Sequence, residues 1–450
     1  LDRSSAASDV YKRQDVYAMS DLILLPKRLV SKYGIEKTFG NPQDTLVQRI
    51  LRYQLNAFFK QFPQMDGIVV RIGETYLEDA PFHVGHIQKK DNADQCIIPL
   101  MNLLREEVCV KLNKKVIFRT WWAFDTDAKK YQYISDQVEP HPNLVIAIKH
   151  CEGDFHRGNP FSKVLGLGRH QQLVEVQCAR EYEGKGAYPN YIARGVIEGF
   201  EEDRAKKEEG KYWCIRDIYN TGKLVGMWTW TRGGGWEGPY PKNELWCDLN
   251  AWVMAQWARS PQQPEEKIFH DYATKRLKLS RKDAARFREL ALLSEKATLR
   301  GMRSAAFPND VFAMWVRDEY ITFPALPKNK EKVLTLLAEK DTAVTYWERI
   351  VELSEQISIP DALLDETMKV TCRYGKQMYR IYRALFHLAA IRQGLTEEDK
   401  TVYLAEYDDA WRCLEQLADE KPAYCPSLYS KTLIRRTWSE VADKAVNGMR

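Results

Sequence analysis

Two patterns of apolar positions divide the chain. From Asp15 to about Arg232, short continuous apolar runs alternate with amphipathic stretches. The runs are DGIVV (Asp66–Val70), KVIFRT (Lys115–Thr120), LVIAIK (Leu144–Lys149), LVEVQ (Leu173–Gln177) and KLVGMWTW (Lys223–Trp230). Unbroken apolar runs of this length are what strands buried on both faces look like. Between them, Asp44–Phe62 and Asp91–Leu112 carry helical spacing. Strand alternating with helix indicates a parallel sheet, and the length suits a (β/α) barrel better than a small open sheet. Five clear strands and a sixth near Tyr17–Leu25 would leave an eight-stranded barrel without its first two units. The expected fold class is therefore α/β: a (β/α)8 barrel, N-terminally truncated and so open or incomplete, over residues 15–242.

From Asn243 onward the pattern is helical throughout. Apolar residues recur at three- and four-residue spacing near Asn243–Arg259, Glu265–Leu277, Arg281–Met302, Lys330–Ile357, Ile359–Arg392, Thr396–Leu417 and Ser427–Asn447. An α-helical C-terminal domain is expected over residues 243–450, with SPQQPEE and LPKNKEK as linkers. The opening LDRSSAASDVYKRQ (residues 1–14) is polar, aperiodic and unlike a signal peptide. It is expected to be a non-native, adaptor-like tail, with the natural N-terminal part missing. Cytoplasm and periplasm of a bacterium both stay open as compartments.

Composition narrows the class. The 450 residues are 44% hydrophobic and 29% charged, and no run approaches the length needed to span a bilayer. The net charge of +5 is small, and basic and acidic residues are interleaved, which argues against a nucleic-acid surface. Nine cysteines are spread without any CxxC spacing, so neither a zinc cluster nor a disulfide scaffold is expected, and buried thiols are.

In barrels the chemistry sits where strands end. Glu74 follows the Asp66 strand; Arg119, Thr120, Trp121 and Trp122 close the next. Lys149 is followed by His150, Glu152 and Asp154, and LVEVQCAR by Glu181. After KLVGMWTWT come Arg232 and a GGGW ending in Trp236. Carboxylates, cations and tryptophans on one rim suit glycoside hydrolysis. That reaction needs one protonated carboxyl group to protonate the leaving oxygen and one ionised carboxylate to activate water. The cations would suit a substrate with its own carboxylate. Plainer roles exist for the same side chains: Arg119 in a structural ion pair, and Trp228, Trp230 and Trp236 in packing. His150 and His156 lack ligand spacing, and no P-loop, GxGxxG or GxSxG elbow occurs, so no metal or cofactor is expected.

At these residues the sequence resembles glycoside hydrolase family 67, the α-glucuronidases that release glucuronic acid from xylan fragments. The resemblance runs from about Asp66 to Arg259. It is carried by DGIVVRIGETYLEDAPFHVGH and by IKHCEGDFHRGNPFSKVLGLGRHQQLVEVQCAREYEGKG. It implies Glu74 as general acid, with Asp154 and Glu181 as candidates for the base that activates water in an inverting reaction. It implies Arg71, Arg119 and Lys149 as contacts to the glucuronate carboxylate, and Trp236 as a sugar contact. Trp121 and Arg232, on the same rim, join the substrate-binding set. The partner expected is an oligosaccharide, not nucleic acid or a membrane, with a homodimer possible through the helical domain. Two alternatives stay open: a barrel that binds carbohydrate without cutting it, and a hydrolase of a different sugar.

Overall fold

A computed structural model describes residues 15–20, 25–35, 41–71, 93–121, 124–125, 127–180, 182–204, 212–230, 244–307, 323–421 and 440–450. Six strands are found among them: β1 (Tyr17–Ser20), β2 (Gly67–Arg71), β3 (Lys115–Arg119), β4 (Leu144–Lys149), β5 (Gln171–Gln177) and β6 (Leu224–Trp230). They form one sheet in chain order, parallel from β1 through β5. Each of the six apolar runs singled out in the sequence contains or overlaps one of these strands.

The expected (β/α)8 barrel is corrected. β1 and β6 stand at opposite edges of the sheet and do not pair with each other among the described residues. A barrel needs eight strands and a hydrogen-bonded seam between first and last. Six strands without that seam make an open sheet, in a chain dominated by helices.

Two compact units divide the chain. The first comprises Leu1–Gly153, Phe161–Glu175 and Lys207–Trp228; the second comprises Asp154–Pro160, Val176–Lys206 and Thr229–Arg450. In the first, α1 (Thr45–Gln61), α2 (Ala93–Leu104) and α3 (Ala128–Asp136) connect successive strands. Parallel crossovers are right-handed, and the strands follow chain order, so all three helices belong on the same face of the sheet. α1 starts where the Asp44 carboxylate accepts from Val47 N, and it buries Val47, Leu51, Leu55 and Phe59 at a spacing of one turn. On the sheet, Ile68, Val70, Val116, Phe118, Ile146, Ile148 and Val174 alternate along the strands and are fully buried. β2 begins with glycine because a Cβ there would lie 2.2 Å from the Lys115 carbonyl oxygen.

In the second unit, α4 (Leu245–Arg259) precedes four long helices: α5 (Arg281–Met302), α6 (Lys330–Glu355), α7 (Ala362–Arg392) and α8 (Lys400–Glu420). Each of these four packs on the next. Their starts are written in the sequence: Ser280, Asn329, Asp361 and Asp399 each accept a hydrogen bond from a first-turn amide. Around Tyr188 the core is aromatic, with Trp347 and Tyr379 rings 5.6 Å away. Gly301 on α5 permits this, since a Cβ there would sit 2.1 Å from the Tyr379 ring. No helix among the described residues is long and apolar enough to cross a membrane.

Candidate functional site

The pleat places the site. Side chains two apart on a strand share a face. Tyr17, Val69, Ile117, Ala147, Leu173 and Trp228 form one apolar cluster on the face opposite the helix-covered one. One step further toward the strand ends, the same face carries Arg71, Arg119, Lys149 and Glu175. Register pairs Arg71 with Arg119 and Lys149 with Glu175, while Arg119 pairs with Ala147, so Lys149 and Glu175 lie one step beyond the two arginines on the same face. The apolar floor thus ends in charge at the carboxyl ends of the strands.

Arg119 and Glu175 make a two-pronged pair. The Arg119 Nε and Nη2 donate to Oε2 and Oε1 of Glu175, each at 2.7 Å. Both residues are buried, Arg119 at 5% exposure and Glu175 at 0%. Taking two charges out of water is costly, and paired geometry of this kind is what offsets it. Beside the pair, the Trp121 ring lies 5.2 Å from the Arg119 guanidinium and 4.1 Å from Lys149 Nζ. Trp228 lies 6.0 Å from Arg119 on another side. Lys149 Nζ also donates to Gly153 O at 3.0 Å. The indole N–H groups of Trp121 and Trp228 are buried with no acceptor among the described residues.

One more carboxyl group feels the charges of Lys149 and Arg119. Asp125 follows β3 and accepts from Thr120 Oγ1 at 3.0 Å. Burial raises its pKa above the usual carboxylate value; the Thr120 hydroxyl, Lys149 and Arg119 pull it down without cancelling that effect.

The second unit holds a separate ionic cluster. The Glu183 carboxylate accepts from the Arg180 guanidinium, from Asn190 Nδ2 at 2.5 Å and from the Arg157 backbone N–H. Burial works to raise the Glu183 pKa, but Arg180, His156 and these hydrogen bonds hold it below the usual value. Arg157 donates to Glu295 and Glu202, each at 2.5 Å, over the Phe200 ring at 3.6 Å. Burial pushes His156 down to about 4, so its imidazole is neutral near pH 7. Arg180 has a φ of +51°, a left-handed conformation that costs a non-glycine residue about 1 kcal/mol or more. Asp154 lies in this unit, half-buried, its carbonyl oxygen accepting from Asn159 Nδ2 at 2.5 Å.

Of the residues expected from sequence, the structure brings Arg71, Arg119, Lys149 and Trp121 to the strand-end layer. Asp154 belongs to the second unit. Glu74, Glu181, Arg232 and Trp236 lie outside the described residues. Two carboxyl groups of the layer, Glu175 and Asp125, were not anticipated. Glu175 had a signal: an acidic residue inside an otherwise apolar strand is rarely buried unpaired. Asp125 had none, because a polar residue in a loop is ordinary. Among the described residues no group of three or more His, Cys, Asp and Glu side chains could hold a metal ion.

Comparison with known proteins adds a likeness to solved structures. No family model matches the chain, and no curated protein matches it. The solved structure of a GH138 enzyme targeting pectin rhamnogalacturonan II is similar at a TM-score of 0.47 and 14% sequence identity. The match covers 93% of this chain and 50% of that one, so the chain spans about half that enzyme's length.

Proposed function

We propose that the chain is part of a glycoside hydrolase that acts on an acidic sugar. The observation that carries this is the strand-end layer, in which two buried cations, Arg119 and Lys149, lie against the face of a buried tryptophan. Flat indole faces suit the C–H faces of pyranose rings, and cations suit a carboxylate on the ring. The substrate favoured is glucuronic or 4-O-methylglucuronic acid on a xylan-derived oligosaccharide. Glu74 protonates the leaving oxygen; Asp154 and Glu181 orient and deprotonate the water; Arg71, Arg119, Lys149, Trp121, Arg232 and Trp236 hold the sugar.

A screen of the full-length gene product against glucuronoxylan fragments tests this, with the anomeric configuration followed by NMR. The expected result is release of the acidic sugar with inversion. Retention, or release of neutral sugars alone, would refute it. Glu74→Ala should lose more activity on substrates with poor leaving groups than on good ones; equal losses would remove Glu74 from the acid role.

A second reading has one observation in its favour. Glu175, the fully buried carboxylate of the layer, is committed to Arg119 by two hydrogen bonds. A carboxylate so held organises a binding surface and does not move protons. Binding of the acidic sugar by the full-length protein without turnover would support that alternative.

A further inference from the structure

Two helices of the second unit leave a cleft between them. The short helix Glu265–Asp271 precedes α5 and packs against it. On α5, Arg281, Ala284, Ala285 and Arg288 fall at spacings of three, four and seven residues, which is one face of a helix. Lys267 and His270, three apart on the short helix, line the opposite wall. The cavity so enclosed measures about 630 Å³, within the ordinary range of small-molecule sites. The two alanines leave the room, and the other four side chains bring N–H groups to it.

Arg288 is fixed before any ligand arrives. Its Nη1 and Nη2 donate to the two oxygens of Glu265 at 2.6 and 2.5 Å, and Glu265 is fully buried. The Phe269 ring lies 4.5 Å from the guanidinium. Glu265 takes two of the five N–H donors that an arginine has. The side chains of Lys267, His270 and Arg281 have no hydrogen-bond or ion-pair partner among the described residues. Against these cations the lining carries one carboxylate, Glu266. Seven residues along α5 put Arg281 and Arg288 about 10 Å apart on its axis.

We infer that this cleft binds a linear anion with acidic groups on successive units. The two arginines take groups at separate points along it, and Lys267 and His270 hold it from the other wall. On the acidic-sugar function proposed above, on which this choice of ligand rests, the anion is an oligosaccharide of uronic acid residues. It is bound by residues other than those of the strand-end layer. A short polyphosphate offers the same spaced charge.

Calorimetry on the full chain tests this with three probes: tri-galacturonate, neutral xylotriose and inorganic pyrophosphate. Wild type should bind tri-galacturonate in preference to xylotriose, and more weakly as salt is raised. Lys267→Gln and Arg281→Gln, both at exposed positions, should each weaken that binding about threefold, as expected for one partly screened charge. Glu266→Gln should tighten it by about as much, a gain that misfolding does not produce. No binding by wild type, or an affinity that ignores all three substitutions, overturns the inference. Xylotriose bound as tightly as tri-galacturonate overturns it too, because charge then plays no part. Pyrophosphate bound more tightly than the sugar, and weakened by the same two substitutions, overturns the uronic acid ligand in favour of phosphate. Release of acidic sugar from glucuronoxylan fragments is measured apart from this binding, so the proposed function and the cleft can fail separately.

Discussion

Two buried ionic clusters, one in each unit, are built on opposite principles. Around Glu183 the acceptor is saturated: one carboxylate takes donors from Arg180, Asn190 and the Arg157 backbone. Around Arg119 the pairing is shared out: Glu175 takes two of its N–H groups, Lys149 donates to Gly153 O, and the Trp121 N–H finds no acceptor among the described residues. Buried polar groups in folded proteins are nearly always paired, so a carboxylate with three donors is scaffold, although Asn190 Oδ1 beside it accepts from no donor among the described residues. On the function proposed above, the Arg119 layer takes its remaining acceptor from the sugar, whereas the Glu183 cluster plays no part in binding.

The contrast can be broken most forcefully at Glu183. Glu183→Ala leaves the Arg180 guanidinium buried without its carboxylate and should cost about 3–5 kcal/mol, read as a fall in the urea midpoint. If the variant were as stable as wild type, Glu183 would not be scaffold. Glu175→Gln keeps an acceptor but loses the charge, and should cost about 1.5–3 kcal/mol by the same measurement. Unlike Glu183→Ala, it should also tighten glucuronate binding, because Arg119 gains an unmet need for an anion. Loss of stability without tighter binding would make the Arg119 pair scaffold too.

A third effect comes from pH. His156 has a folded pKa of about 4, pushed down by burial, against an unfolded value near 6.5. Between those values the unfolded chain binds the extra proton, so stability rises with pH through that window and falls as pH drops toward 4. Denaturation of wild type and His156→Gln across the window should show the slope reduced in the variant; equal slopes would remove His156 from the account.

The smallest effect is at the indoles. Trp121→Phe deletes an N–H that has no described partner, so thermal stability should change by less than about 1 kcal/mol. Trp246 N–H donates to Thr371 Oγ1 at 2.9 Å, and Trp246→Phe should cost about 1 kcal/mol more. Equal costs would mean that the Trp121 N–H is satisfied after all.

How far the residues alone reached is clearest element by element. The helix starts at Arg281 and Lys330 match the apolar spacing, whereas the next two begin at Ala362 and Lys400, after the expected Ile359 and Thr396, where Asp361 and Asp399 cap them. Arg281–Met302 runs as its spacing predicts. Arg119 and Lys149 were found because polar residues that end apolar strands fall at one end of a parallel sheet. Their partners were harder. Glu175 is 56 positions from Arg119, and nothing local says that the two strands lie close enough for a two-pronged pair. Asp125 depended on a turn whose path is set by where Phe124 is buried.

Periodicity and capping act over a few residues, so the order of strands and helices, their buried faces and most of their ends were determined by the amino-acid sequence itself. Closure of the sheet was not, because an open sheet and a barrel share the same alternation of apolar runs. They differ only in whether the first and last strands meet. The partners of the charged residues were likewise decided by tertiary structure, since an ion pair depends on distance in space and the chain encodes only distance along itself.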